Sequence, residues 1–268
     1  DRPNVNVDWP ADDIRMFSTD SSSQHDSEDL PDGDDLDALR EACMASQNTR
    51  RDRAFLELAA GTGQRVYALV SLRVGDLRLD DDPPHILLNP DIENDGDKGA
   101  IETAGRWRPI VTDPAPVREW LRNHPLRDAE RRRDVGAPAD FEDCYAFVGS
   151  PSAPKTDLST HWGINGAREM LERRANYTTR ADELETVDVP VNPHNWRHFA
   201  YTRSQDVPEL DEPTRRKVFG WAPGSDTGER LYGHESGRKA GERFAKLWRD
   251  HYGESDSSTV AEEVLGEA

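Results

Sequence analysis

Cysteine is nearly absent: the 268 residues hold two, Cys43 and Cys144, far apart and in no CxxC spacing. That excludes a disulfide framework and a thiolate zinc site, and it fits a reducing compartment. Long apolar runs are also missing. No stretch approaches the roughly 20 consecutive apolar residues of a membrane-spanning helix, and no signal-peptide pattern opens the chain, so a soluble, cytoplasmic protein is expected. Positive charge is in short supply: Lys and Arg number 34 against 53 Asp and Glu, a formal net charge of −19, and apolar residues make up 34%. Disordered chains share such a balance. Here, however, the charges interleave with regular apolar periodicity, so a folded domain with an acidic solvated skin is expected. Such a skin suits molar internal salt, where screening shortens carboxylate repulsion, and a halophilic source is expected. Acidity ordinarily argues against a nucleic-acid partner, whose affinity comes from Lys and Arg displacing counterions. At molar salt that term is mostly lost, so local basic groupings decide the question. A carboxylate cluster of the two-metal nuclease kind is lacking too.

Residues 1–35 read as an acidic linker or the remnant of an upstream domain, with Ser21-Ser22-Ser23 and Asp32-Gly33-Asp34-Asp35 among few apolar residues. Helical spacing starts with Leu36, Leu39 and Cys43. A second helix over residues 52–60 places Phe55, Leu56, Leu58 and Ala59 for burial, and Gly61-Thr62-Gly63 ends it. Arg65 then opens a short helix. A β region follows, with a strand over 85–88, a turn over 95–99 carrying Lys98 near a hairpin tip, and a strand over 107–112. The pattern further predicts a helix over 113–123 capped by Asp113, a basic cluster at Arg127, Arg131, Arg132 and Arg133, and an extended run over 144–148. A longer helix runs from a cap at Asp157 or Ser159 to about Asn176 and carries Arg168, Arg173 and Arg174. A short helix over 211–219 carries Arg215, Arg216 and Lys217, a short piece covers 227–233, and an amphipathic helix over 236–252 turns Phe244, Leu247 and Trp248 inward. Residues 253–268 read as an acidic mobile tail.

The stretch Pro193-His194-Asn195-Trp196-Arg197-His198 reads as a helix start with an imidazole and a guanidinium three residues apart on one face. Free N–H groups, the helix dipole and the guanidinium together make a seat for a phosphate. Solvated surface charges are the plainer reading. A third takes His194 and His198, at i,i+4, as metal ligands of a hydrolase, though Asn195 stands where the zinc-enzyme motif needs Glu.

In order, these pieces resemble the catalytic domain of the tyrosine recombinase (phage integrase) family. Gly61-Thr62-Gly63-Gln64-Arg65 running into Leu72-Arg73-Val74-Gly75-Asp76-Leu77 resembles the family's first arginine box, and residues 194–202 resemble its His-x-x-Arg-His box. Phe219-Gly220-Trp221 running to Arg230-Leu231-Tyr232 resembles the terminal box, in an archaeal, halophile-like form carried by residues 220–226. Trp221 stands where many members have His, and Ala68 where members often carry an acid bracing the first arginine. The resemblance covers residues 36–252 and implies a mainly α-helical α+β domain with a small antiparallel β-sheet. It implies site-specific cleavage and rejoining of double-stranded DNA through a 3′-phosphotyrosyl link, with no metal or other cofactor, by an oligomer, a tetramer, on DNA. It assigns catalysis to Arg65, Lys98, His194, Arg197, Trp221 and Tyr232, and DNA contacts to Arg73, Arg106, Arg108, His198, Arg203, Arg215, Arg216 and Lys217. A catalytically inactive relative that binds DNA as an accessory or regulator is the alternative.

Overall fold

The computed structural model describes residues 30–150, 157–181, 183–191, 193–220 and 237–253. Trp221, Tyr232, the expected piece over 227–233, most of the N-terminal linker and the acidic tail lie outside the described residues.

Helix α1 (Gly33–Met44) begins inside the expected linker because Asp32 and Asp35 close a capping box. Its Leu36, Leu39 and Cys43 are buried as their spacing requires. Helix α2 (Thr49–Thr62) is central: every residue from Ala54 to Thr62 is buried, and α1 packs beside it. A helix apolar nearly all round belongs in an interior. Its acid Glu57 is fully buried and met by Arg40 at 2.9 Å and Arg53 at 2.7 Å. Unpaired, that carboxylate would cost several kcal/mol.

Helix α3 (Val66–Val70) leads through a 3-10 turn, Val74–Asp76, into the sheet. Strands β1 (Leu77–Arg78), β2 (His85–Leu87) and β3 (Trp107–Pro109) pair antiparallel in the order β1-β2-β3, with Leu77 opposite Ile86 and Ile86 opposite Arg108. The expected turn over 95–99 is instead the start of helix α4 (Asp95–Ala104), and Lys98 rides its first turn rather than a hairpin tip. The two glycines and two acids of this stretch are residues that favour turns. Asn94 caps the helix by accepting from Asp97 N–H at 3.2 Å, so these turn residues serve a helix start. Pro109 lacks a ladder donor, and β3 stops there, short of the expected residue 112.

Helix α5 (Ala115–Arg122) packs on α2, and the basic cluster forms an unexpected helix, α6 (Ala129–Asp134), capped by Asp128. The run over 144–148 is buried but is no strand; it meets the segment before the 3-10 turn through an isolated bridge between Arg73 and Tyr145. Helix α7 (Ile164–Thr178) starts later than expected, because the Asp157 carboxylate accepts from Ser159 and closes a local turn. Helices α8 (Pro193–Gln205) and α9 (Glu212–Phe219, capped by Asp211) follow, and α8 packs on α2. Helix α10 (Gly237–Tyr252) lies on α9 and β3 with Phe244 and Trp248 buried. Trp107 of β3 lies against Gly241, where an added Cβ would fall 1.9 Å from the ring.

Most apolar side chains form one core around α2; a second cluster joins α8, α9 and α10 through Ala200, Val218, Phe219, Phe244 and Trp248. Among the described residues no helix is long and apolar enough to cross a membrane.

Candidate active site

The α2–α3 connection places the first guanidinium. Gly63 ends α2 in the left-handed region at φ +58, which a glycine adopts without strain, and the chain turns so that Arg65 stands at the N-cap of α3. One end of its side chain is tied: Nη1 donates to the Gly96 carbonyl at 3.1 Å and to Asp97 Oδ1 at 3.3 Å. Nε and Nη2 make no hydrogen bond among the described residues, and the side chain is 40% exposed.

Arg197, on α8, is 3% exposed. Its Nη1 donates to the Gly63 carbonyl at 3.1 Å and its Nη2 to the Phe219 carbonyl, so the end of α2 and the end of α9 are bound to one guanidinium. Burial, with Arg65 and Arg108 nearby, pushes its pKa down to about 9, while Asp97 opposes the shift. It remains charged at neutral pH, and an arriving anion would favour the charged form further. Asn195 secures the approach to α8 by donating to the Pro190 carbonyl at 2.7 Å, and Trp196 is fully buried beside it.

His194, exposed in the first turn of α8, faces His198 with Nε2 atoms 3.0 Å apart. One ring must donate and the other accept, so the contact requires at least one neutral imidazole. Among the described residues no group of three or more His, Cys, Asp or Glu is arranged to hold a metal ion.

Arg65, His194 and Arg197 line one cavity of about 470 Å³ between the start of α3, α4, α7 and the start of α8. Arg168 and Glu172 of α7 and Asp97 of α4 complete its charged wall. In a chain of net charge −19 this wall carries three guanidiniums against two carboxylates, a local seat for an anion.

Sequence reasoning passed over Asp97 and assigned Arg168 no role. Asp97 is 2% exposed, and its Oδ2 has no hydrogen-bond partner among the described residues. Burial raises its pKa, while Arg65 and Arg197 pull it down. No local signal marks it, because Arg65, its partner, is distant in sequence. Ala68, at the position where the resemblance implies an acid, is fully buried.

The remaining expected residues are dispersed. Lys98 is exposed and does not line the cavity. Arg108, expected to contact DNA, is fully buried and donates to the carbonyls of Gly105, Trp107 and Ala100; it is a strut under the sheet. Arg215 is half-buried and bound to the Leu210 and Ser204 carbonyls and to Glu212. Arg216 also pairs with Glu212, at 2.8 Å, and Lys217 is half-buried on the same helix. Arg106 reaches Asp76 at 3.1 Å, while Arg73 lies over the Tyr145 ring at 3.8 Å. Arg203 lies over Tyr252 at 4.2 Å, and the Tyr252 hydroxyl donates to the Arg203 carbonyl at 2.9 Å, a packing role.

No family model matches the chain, and no curated protein does. Solved structures do. XerA recombinase is 17% identical, with 84% of this chain and 64% of that one covered and a TM-score of 0.49. The Tn1549 transposon integrase in complex with transposon right end DNA is 14% identical, covering 76% of this chain and 64% of that one at a TM-score of 0.50. The same integrase in complex with a circular intermediate DNA is 14% identical, covering 79% and 67% at 0.50. The chain thus spans about two-thirds of the length of these structures. The two integrase complexes carry the comparison, and at their level of identity it is one of architecture. The chain has the tyrosine recombinase catalytic fold, mainly helical with a small three-stranded antiparallel sheet.

Proposed function

We propose that this chain cleaves and rejoins double-stranded DNA in site-specific recombination, through a 3′-phosphotyrosyl intermediate and without a metal. The observation that carries the reading is the convergence of Arg65, His194 and Arg197, distant in sequence, on one cavity. Direct phosphoryl transfer concentrates charge on two non-bridging oxygens, which planar guanidiniums match. Arg65 would offer its untied Nε and Nη2, and Arg197 its buried positive charge at the cavity wall.

In this reading the Tyr232 hydroxyl attacks phosphorus while the bond to the 5′ oxygen breaks. A phenol has a pKa of about 10, so a base must take its proton, and His194 is assigned that role. The leaving 5′ oxygen receives a proton from Lys98. His198 or the Trp221 indole N–H donates to the phosphate. The bond energy stays in the phosphotyrosyl link, so rejoining by the 5′ hydroxyl needs no ATP. Lys98 follows Asp97 in the first turn of α4. Assembly as a tetramer on DNA belongs to the same proposal.

A nicked suicide substrate tests this. Replacing Tyr232 by Phe is expected to abolish the covalent protein–DNA adduct with binding nearly unchanged, while Tyr252→Phe at most lowers stability. Binding without any adduct from the unmodified protein would favour an inactive accessory relative. Loss of the adduct from the Tyr252 variant alone would overturn the assignment of the nucleophile.

A further inference from the structure

We propose that Asp97 is a positioning residue of this site: its buried carboxylate holds Arg65 by Nη1 so that the Nε–Nη2 edge of the guanidinium is presented to the phosphate. The proposal rests on the strand-transfer reading given above. Its basis is the way the carboxylate is used. Asp97 is 2% exposed, yet among the described residues only Oδ1 is bonded, to Arg65 at 3.3 Å, and Oδ2 has no hydrogen-bond partner. A buried carboxylate oxygen left unmet disfavours the fold, so a purely structural origin would be expected to satisfy it.

The carboxylate does no work for its own helix. The cap of α4 is made by the Asn94 side chain, to which Asp97 contributes its backbone N–H. Nor does α3 provide a substitute, since it carries no acid and Ala68 is apolar and buried. Asp97 is therefore the one carboxylate bonded to Arg65 among the described residues. The contact is single and end-on. A bidentate pair would engage two guanidinium nitrogens and compete directly with the phosphate. The observed pair ties one nitrogen, with the Gly96 carbonyl on the same nitrogen at 3.1 Å, and leaves the opposite edge available. Asp97 also faces Arg197 electrostatically, so it offsets part of the repulsion between the two guanidiniums before an anion arrives.

Three measurements on Asp97→Ala and Asp97→Asn test the proposal: DNA affinity, the single-turnover rate of adduct formation, and the 15N relaxation of the Arg65 Nε–Hε group. Misplacing a transition-state donor typically costs about 100-fold in rate. The expected result for Asp97→Ala is a loss of that order with DNA affinity within about threefold, together with a fall in the heteronuclear NOE of Arg65 Nε. Asp97→Asn keeps an acceptor oxygen and the side-chain shape, so it should recover part of both the rate and the rigidity. An Arg65 signal as rigid in the alanine variant as in the unmodified protein overturns the proposal whatever happens to the rate. Where the alanine variant fails to fold, the near-isosteric asparagine variant carries the same comparison, and an unchanged rate and NOE there overturn it equally. If the unmodified protein forms no adduct, the strand-transfer reading falls, while the relaxation data still decide whether Asp97 holds Arg65.

Discussion

His124 and Arg197 show opposite solutions to burying a titratable side chain. Arg197 keeps its charge by donating to the Gly63 and Phe219 carbonyls, and thereby joins two chain segments at the cavity. His124 gives its charge up. It is 3% exposed, its Nδ1 accepts from Leu126 N–H at 3.1 Å, and its Nε2 faces the Tyr145 and Ala146 carbonyls without closing a hydrogen bond. Burial pushes its pKa down to about 4 from the ordinary 6.5, against the pull of those carbonyls. The sign of the linkage follows. Below the ordinary value the unfolded chain takes up a proton that the folded chain refuses, so this residue's contribution falls as pH drops from 6.5 toward 4. By pH 4.5 the loss should reach about 2–3 kcal/mol. Asparagine retains an acceptor near Nδ1 and does not titrate. Urea unfolding of His124→Asn and the unmodified protein at pH 7 and 4.5 should show the variant losing less stability on acidification by about that amount; parallel losses would remove His124 from the acid response.

At the scale of elements, two glycines separate a turn from a helix. Gly63 ends α2 at positive φ, and a Cβ there would lie 2.5 Å from Phe219 Cε1 and 3.1 Å from the Ala200 Cβ. Gly63→Ala therefore meets both backbone strain and overpacking, for an expected cost of about 2–4 kcal/mol. It would also disturb Arg197, whose Nη1 bonds the Gly63 carbonyl. Gly99 lies within α4 with nothing inside 4 Å of an added Cβ. Gly99→Ala should stabilise by about 0.5–1 kcal/mol, because alanine loses less backbone freedom on entering a helix. Thermal unfolding of both variants provides the check. Destabilisation by Gly99→Ala would mean that residues 95–99 prefer the turn their composition first implies.

The whole molecule carries a net charge of −19, with ion pairs such as Arg50 with Glu119 at 2.8 Å and Arg249 with Asp82 at 3.1 Å on its surface. Exposed pairs of this kind contribute at most about 1 kcal/mol each, and salt screens them. Repulsion among the excess carboxylates, and between them and DNA, is screened as well. The cavity wall is a local exception in sign, since its guanidiniums outnumber its acids. DNA affinity should therefore be retained or rise from dilute to molar KCl, in contrast to the usual steep decline. A titration across that range measures it, and an ordinary counterion-release slope would refute the argument from the acidic skin.

Periodicity alone determined most of the helical frame. The buried stripe of α1, the interior of α2, and the inward Phe244 and Trp248 of α10 follow from spacing, because burial of apolar side chains at helical repeats is a local signal with a global reward. The ordered boxes likewise single out Arg65, His194 and Arg197, three residues that line one cavity. Only the tertiary structure decided which charges meet. Asp97 and Arg65 are joined by α4 lying against the start of α3, Arg108 is taken out of solvent, and Arg215 is bound to the carbonyls of Ser204 in α8 and Leu210 before α9. An exposed arginine and a buried one read alike in sequence, since the residue type records the charge and not its partners. Those partners are brought near by packing between segments distant along the chain, and it is packing that turns a row of basic residues into a seat for one anion.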